Sequence, residues 1–470
     1  MKKLTLILPT LALLVVAGLT PAIAQESSEE PRQVLFTNVN IFDGASGDLI
    51  ENGSVLVEGN LIKTVSARPL KAPGAFTVDG DGRTLMPGLI DMHSHLCFYN
   101  GLPYFRDSYD AMTVGAYIHH AALDYLQQGF TTARSAGCND LGIAKAINNG
   151  ILPGPRILPA GGFLSQTGGH ADLGSWSDLP LEQDALERAE TMYIVDGVTE
   201  ARRAARSNLR RGATHLKIMA GGGVSSEFDP LHMTQFSFEE MQAIVGVAED
   251  YGTYVIAHAY HDNSVNRAID AGIKMIEHGF LISEETMDRF VTEDIVLSVQ
   301  AQASLEAFGN VDAIDFFTAD QKEKGRRVNE GAKQMLSWAV EKGVTMVLGG
   351  DMFGPDLGRQ ADNLIWFNTI ANDPLLALRS STSTTGEVLA KLTGGMMPYK
   401  DGPLGIIAEG AYADIILVNG NPLEDLEAVK RDRVDFVMKD GLVYKNWLPD
   451  ENAPAFQPAG PKRDAYLGNL

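Results

Sequence analysis

The chain has 470 residues, 45% of them hydrophobic and 21% charged, with a formal net charge of −22. That length and apolar content suit a barrel-sized domain plus a smaller one, and so acidic a surface argues against nucleic acid and anionic membrane as partners. Cys97 and Cys138 are the only cysteines, which excludes a disulfide scaffold; their spacing fits no structural zinc pattern, and whether they pair is left open.

The first segment reads as an address. Lys2 and Lys3 precede an apolar run over 4–19, and Ala22-Ile-Ala24 is a small-x-small cleavage site before Gln25. The run is shorter than the roughly 20 apolar residues of a membrane span, so 1–24 is expected to be a signal peptide. The mature protein would then be periplasmic or secreted, with no membrane span. Losing two lysines and no acid takes the charge from −22 to −24. A polar linker over 25–32 follows.

Short β-like runs with turn punctuation come next, at 34–42, 54–58, 61–66 and 76–78. Runs of the same character return at 413–418, 434–438 and 441–444. The expectation is a small β-sandwich domain built from both chain ends, 33–84 and 405–446. The stretch 447–470 contains prolines and reads as an irregular tail.

Between these flanks, apolar runs alternate with helix-like segments, the pattern of parallel βα units. Eight runs, at 85–95, 131–136, 156–161, 215–220, 253–260, 274–278, 296–302 and 344–351, predict an α/β fold with a (β/α)8 TIM barrel over 85–404. Ser237-Phe-Glu-Glu240 reads as a capping box, and Met241, Ile244, Val245 and Ala248 after it form a buried stripe. Residues 114–128 and 333–341 behave similarly.

Polar residues stand where those strands should end: His93, His95, Lys217, His258, His278 and Asp351. A barrel brings strand C-termini to one face, so the six should converge. His93 and His95, two apart on a strand, point the same way and suit one cation. Alone such a pair is a weak signal, and His258 or His278 singly would read as a packed core histidine; the joint placement reverses this. Lys217, in Leu216-Lys-Ile-Met219, would lose solvation in an apolar interior, and a neutral amine can add carbon dioxide to form a carbamate whose oxygens bridge two metals. The plain alternative is a lysine paired with an acid. Asp351 could bind a cation and accept a proton from water, or cap a turn.

With these residues in order, the chain resembles the amidohydrolase superfamily, in its branch of imidazolonepropionase-like proteins and prolidase-like metal dipeptidases and carboxypeptidases. The resemblance is carried by Met86-Pro-Gly-Leu-Ile-Asp-Met-His-Ser-His95, Gly129-Phe-Thr-Thr-Ala-Arg134, Thr167-Gly-Gly-His170, Lys217, His258-Ala-Tyr260, Ile276-Glu-His-Gly279 and Gly349-Gly-Asp351. It implies two divalent metal ions, with zinc expected from the N/O ligands. His93, His95 and Asp351 would hold one ion and His258 and His278 the other, bridged by N6-carboxylated Lys217. His170 and Tyr260 would grip the substrate carbonyl, although relatives often carry histidine where Tyr260 stands. Arg134 could bind a carboxylate or be a structural ion-pair partner.

The expected reaction is attack by a metal-bridging hydroxide on the C-terminal amide of a dipeptide or N-acyl amino acid, with Xaa-Pro, an aromatic or hydrophobic terminal residue, or ochratoxin A as substrates. Phe98, Tyr99, Tyr104 and Phe105 could line an apolar pocket for such a group, or be loop packing. Competing readings are a lactonase or other cyclic amide or ester hydrolase and, outside enzymes, a metal-stabilised binding protein. Relatives of this kind suggest a homo-oligomer.

Overall fold

A computed structural model describes residues 32–99, 101, 110–177 and 182–448, apart from the side chain of Pro355. The expected signal peptide, nearly all of the linker, Tyr104, Phe105 and the tail beyond Leu448 lie outside the described residues.

Five strands open the fold: β1 (Gln33–Ile41), β2 (Ile50–Glu58), β3 (Leu61–Ser66), β4 (Phe76–Asp79) and β5 (Thr84–Pro87). Ten short parallel-sheet strands follow: β6 (Leu89–Ser94), β7 (Phe130–Ser135), β8 (Arg156–Leu158), β9 (Phe163–Ser165), β10 (Met192–Ile194), β11 (Leu216–Met219), β12 (Val255–His261), β13 (Met275–Leu281), β14 (Val296–Val299) and β15 (Met346–Leu348). The chain closes with β16 (Ile415–Val418), β17 (Val434–Lys439) and β18 (Leu442–Asn446).

Both chain ends enter one eight-stranded sheet in the order β18-β17-β16-β5-β1-β2-β3, with β4 beside β1. The joint is β16 against β5, antiparallel, with Ile416 opposite Met86. Phe36 packs edge-on against Phe436, 5.4 Å between ring centres, in a core that also holds Val39, Ile415 and Leu417.

All eight predicted barrel runs contain a strand, but the first divides: Thr84–Pro87 pairs with the terminal sheet, and only Leu89–Ser94 joins the parallel system. β9 and β10 lie outside the predicted runs, since three residues are too few to display a period. The parallel strands form two arcs, β6-β7-β8 and β10-β9-β11-β12-β13-β14-β15. Ile90, Leu158, Ile256, Met275, Val296 and Val347, from six strands of the two arcs, belong to one buried cluster, so the arcs share an interior in TIM-barrel-like fashion.

The helices that cover the arcs are stopped and started by local chemistry. The predicted box is present: Ser237 accepts from the Glu240 amide, and the Glu240 carboxylate accepts from the Ser237 amide. Helix Ala319–Lys342 starts with the same device at Thr318 and Gln321 and ends on Gly343 in the left-handed conformation. Among the described residues, no helix is long and apolar enough to cross a membrane.

Candidate active site

The strand register sets the site. β11 and β12 pair with Met219 opposite His258, and β12 pairs with β13 so that His258 faces Glu277 and Ala259 faces His278. Alternation puts Lys217 and Met219 on one face of β11, and His258 and Tyr260 on one face of β12; all four line the same cavity. On β13 alternation alone would turn Glu277 and His278 to opposite faces. His278 has φ 75°, in the left-handed region that residues other than glycine seldom adopt, and both residues point inward. Asp351, just past β15, is also left-handed at φ 53°. Such conformations cost on the order of 1–3 kcal/mol each and persist where the surroundings fix them, commonly at functional sites.

Asp91 joins the two ends of the strand set. One carboxylate oxygen accepts from the amides of His93 (2.7 Å) and Gly350 (3.1 Å), and the other from the Tyr125 hydroxyl (3.1 Å). The Asp351 amide donates to the His93 carbonyl at 2.9 Å. Gly349 permits this approach, since a Cβ there would lie 2.3 Å from the His93 backbone nitrogen.

Two of the imidazoles are oriented from behind. His93 donates Nδ1–H to Glu277 at 2.5 Å, and Glu277 is itself paired with Arg134 at 2.7 Å, all three being buried. His95 donates Nδ1–H to the Gly137 carbonyl at 3.0 Å. The two Nε2 atoms are thereby left bare, 3.2 Å apart and 3.5 and 3.4 Å from Asp351 Oδ1. His258 Nε2 lies 3.4 Å from the Gly222 carbonyl, which leaves its Nδ1 as the other edge. His278 Nδ1 is buried without a hydrogen-bond partner.

Burial dominates the titration. It holds His93, His258 and His278 well below the ordinary histidine range and His95 at about 3, so all four are neutral and carry lone pairs. Burial lowers Lys217 and raises Asp351, while their mutual attraction opposes both shifts. Tyr260 is pushed well above 10 by burial and stays a phenol.

Bare nitrogens and a carboxyl group crowded together are a donor set that a cation satisfies. Ligand atoms of His93, His278 and Asp351 all lie within 4.8 Å of one another. The residues present therefore fit a metal centre.

His170 stacks on His258, ring centres 4.0 Å apart, and its Nδ1 faces Ser226 and Asp229. All eight sequence-predicted residues (His93, His95, His170, Lys217, His258, Tyr260, His278 and Asp351) line one cavity of about 430 Å³. Phe98 is in its wall. Tyr99 is not among the lining residues and packs instead on Tyr117 and His120. Much of the apolar wall comes from a region the sequence did not single out, Ala303, Phe308, Ile314, Phe316 and Phe317 after β14, because loop conformation decides which apolar side chains face a cavity. Arg134 is no wall residue; it is committed to Glu277. Asp91 and Glu277 lie inside the recognised motifs without an expected role, and Asp229 carries no sequence signal.

Cys97 and Cys138 form a disulfide, both halves buried. It ties the turn after β6 to the turn after β7, beside the Gly137 carbonyl that orients His95.

Comparison with known proteins agrees with this geometry. The sequence profile described as "Amidohydrolase family" matches residues 84–443. Ochratoxinase of Aspergillus niger is 29% identical over 453 residues, 91% of either chain. Among solved structures, a prolidase complexed with N-methylphosphonate-L-proline is 33% identical, with a TM-score of 0.81 over 88% of this chain and 100% of that one. A Xaa-Pro dipeptidase with methionine bound in its active site is 30% identical, with a TM-score of 0.78 over 88% of this chain and 100% of that one.

Proposed function

Because the chain belongs to the amidohydrolase family, with residues 84–443 matched, we propose that it is a binuclear metal amidohydrolase that removes the C-terminal residue from dipeptides or N-acyl amino acids. The observation that carries this reading is the convergence of four neutral imidazoles, Asp351 and buried Lys217 in one largely apolar cavity. In this reading the two arcs are a closed (β/α)8 barrel over 85–404, and the terminal sheet is its accompanying β-sandwich.

His93, His95 and Asp351 would hold one ion and His258 and His278 the second, zinc by the nitrogen and oxygen donor set. Lys217 would bridge them as a carbamate, formed when its neutral amine adds carbon dioxide and gives up a proton. Bound there, the pair would supply a water acidified to near neutrality and an electrophile for the carbonyl oxygen. Asp351 takes the water's proton and delivers it to the departing nitrogen, which cannot leave as an anion. His170 Nε2 and the Tyr260 hydroxyl bind the carbonyl oxygen as charge gathers on it. Phe98, Phe308 and Phe317 receive a hydrophobic side chain. Relatives named ochratoxinase, prolidase and Xaa-Pro dipeptidase support amides of this class. The disulfide suits an oxidising compartment and supports export.

The test is release of free amino acids by zinc-loaded protein from a library of dipeptides, N-acyl amino acids and ochratoxin A. Asp351→Asn should lower kcat about 10²- to 10⁴-fold, the range for loss of a positioned proton carrier. Lys217→Ala should lose activity together with the second metal equivalent. A wild type holding two metals that opens lactones and cleaves no amide would overturn the substrate assignment.

A further inference from the structure

We propose that Asp229, together with Ser226, is the positioning residue that fixes His170 with its Nε2 edge turned to the substrate carbonyl, a carboxylate–histidine pair outside the metal shell. The inference rests on the function proposed above for the identity of the carbonyl, and on geometry alone for the pair.

His170 is carried on the turn after β9, its ring is held on three sides and its backbone is tied as well. On one face lies the His258 ring, 4.0 Å away and tilted by 18°. On another is Gly223, where an added Cβ would fall 2.0 Å from His170 Cε1; only glycine lets the ring lie there. At the Nδ1 edge stand Ser226 Oγ at 2.6 Å and Asp229 Oδ2 at 3.1 Å. Its backbone amide donates to Gln235 Oε1 at 2.9 Å. Nε2 is the remaining nitrogen, and His170 lines the cavity.

Asp229 is fully buried and acts as a hydrogen-bond acceptor: Oδ2 also takes the Gly223 amide at 2.8 Å, while Oδ1 has no partner. A buried carboxylate with an unpaired oxygen is expensive, and retaining one calls for an interaction that uses its charge. Facing an acceptor, His170 carries a proton on Nδ1, and because a carbonyl oxygen is also an acceptor, Nε2 serves it only with a second proton, whose charge the buried Asp229 carboxylate is placed to balance.

The support continues outward. Lys324 on helix Ala319–Lys342 donates Nζ–H to the carbonyls of Ser226 and Asp229, both at 3.0 Å, and Gln321 donates to the Ser225 carbonyl at 2.8 Å. The loop that orients His170 is thus clamped to a long helix, the kind of backing that holds a reacting group within the tolerance catalysis needs.

The test is a double-variant cycle on the zinc-loaded enzyme with an N-acyl amino acid as probe, joined to nitrogen-15 NMR of the histidine-labelled protein without substrate. Asp229→Ala should lower kcat about 10- to 100-fold with little change in KM or bound zinc, as when an orienting partner is lost. Asp229→Asn, which can still accept from Nδ1, should recover part of that loss. In a His170→Ala background, Asp229→Ala should cost nothing further. The His170 Nδ1–H resonance should be present in the wild type and in Asp229→Asn and absent from Asp229→Ala. Equal losses in both backgrounds, or a resonance unchanged in Asp229→Ala, would overturn the proposal. If Asp229→Ala fails to fold, Ser226→Ala takes its place in the cycle, with the same outcomes for and against. A wild type that cleaves no amide would count against the proposed function while the resonance still decides the pairing.

Discussion

Two buried arginines, Arg134 and Arg156, sit in the parallel sheet system and are used differently. Arg156, on β8, meets Asp414 through two nitrogens at 2.7 and 3.2 Å and Asp440 at 2.7 Å, and its guanidinium lies 3.8 Å from the centre of the Tyr412 ring. It bolts the parallel strands to the terminal sheet, and its charge is met by two carboxylates. Arg134, on β7, meets the single carboxylate of Glu277, whose other oxygen is given to His93, and its Nε is buried without a partner. The lesson is that a junction can satisfy all of its charge, whereas an ion pair that ends on a ring of the candidate site keeps part of its capacity for that ring.

The contrast is broken most sharply at Arg156. Arg156→Met strands Asp414 in the interior, and an expected loss of about 3–5 kcal/mol of stability should appear in denaturant unfolding, with zinc per folded chain unchanged. Loss of zinc at full stability would show that the junction serves the site after all.

Glu277→Gln should do the converse. It leaves Arg134 facing a neutral amide and removes the charge that orients His93, so zinc affinity should fall about 10- to 100-fold in competition with a chelator. If Glu277→Gln binds zinc as tightly as the wild type, the two arginine sites are equivalent and the distinction fails.

The smallest effect sharpens the contrast through pH. His215, buried against Tyr254 and hydrogen-bonded to the Ser135 carbonyl, is held down to about 3 by burial first and by Arg134 second. Its folded value is below the unfolded 6.5, so its contribution is complete above 6.5 and is lost as pH falls towards 3. The expected slope is about 1.4 kcal/mol per pH unit in that window. His215→Gln should remove that part of the acid sensitivity, read as a smaller difference in unfolding free energy between pH 5 and pH 7.

Legibility followed the type of signal. Strand ends carrying a histidine, lysine or aspartate after an apolar run could be read directly, because a polar tip on an apolar strand is anomalous. Glu277 could not, since beside His278 strict alternation sends it to the other face, and only the left-handed backbone at His278 turns both inward. Asp229 is one acid among 60 acidic residues, and nothing local separates it from the exposed ones. Likewise the apolar wall at Phe308, Phe316 and Phe317 depends on how the segment after β14 folds over the cavity.

What the sequence by itself determined is eight of the ten parallel strands, the terminal strands at both chain ends and six of the polar residues that share the cavity, His170 and Tyr260 having come from the family resemblance. These are consequences of hydrophobic period and strand-end chemistry, which act over a few residues. The tertiary structure alone decided that Cys97 meets Cys138, that Glu277 links Arg134 to His93, and that Asp229 stands behind His170. Those partners are separated by 41 to 184 residues. No local pattern encodes a contact of that range; it exists because the sheets bring the strand ends and their turns to one place.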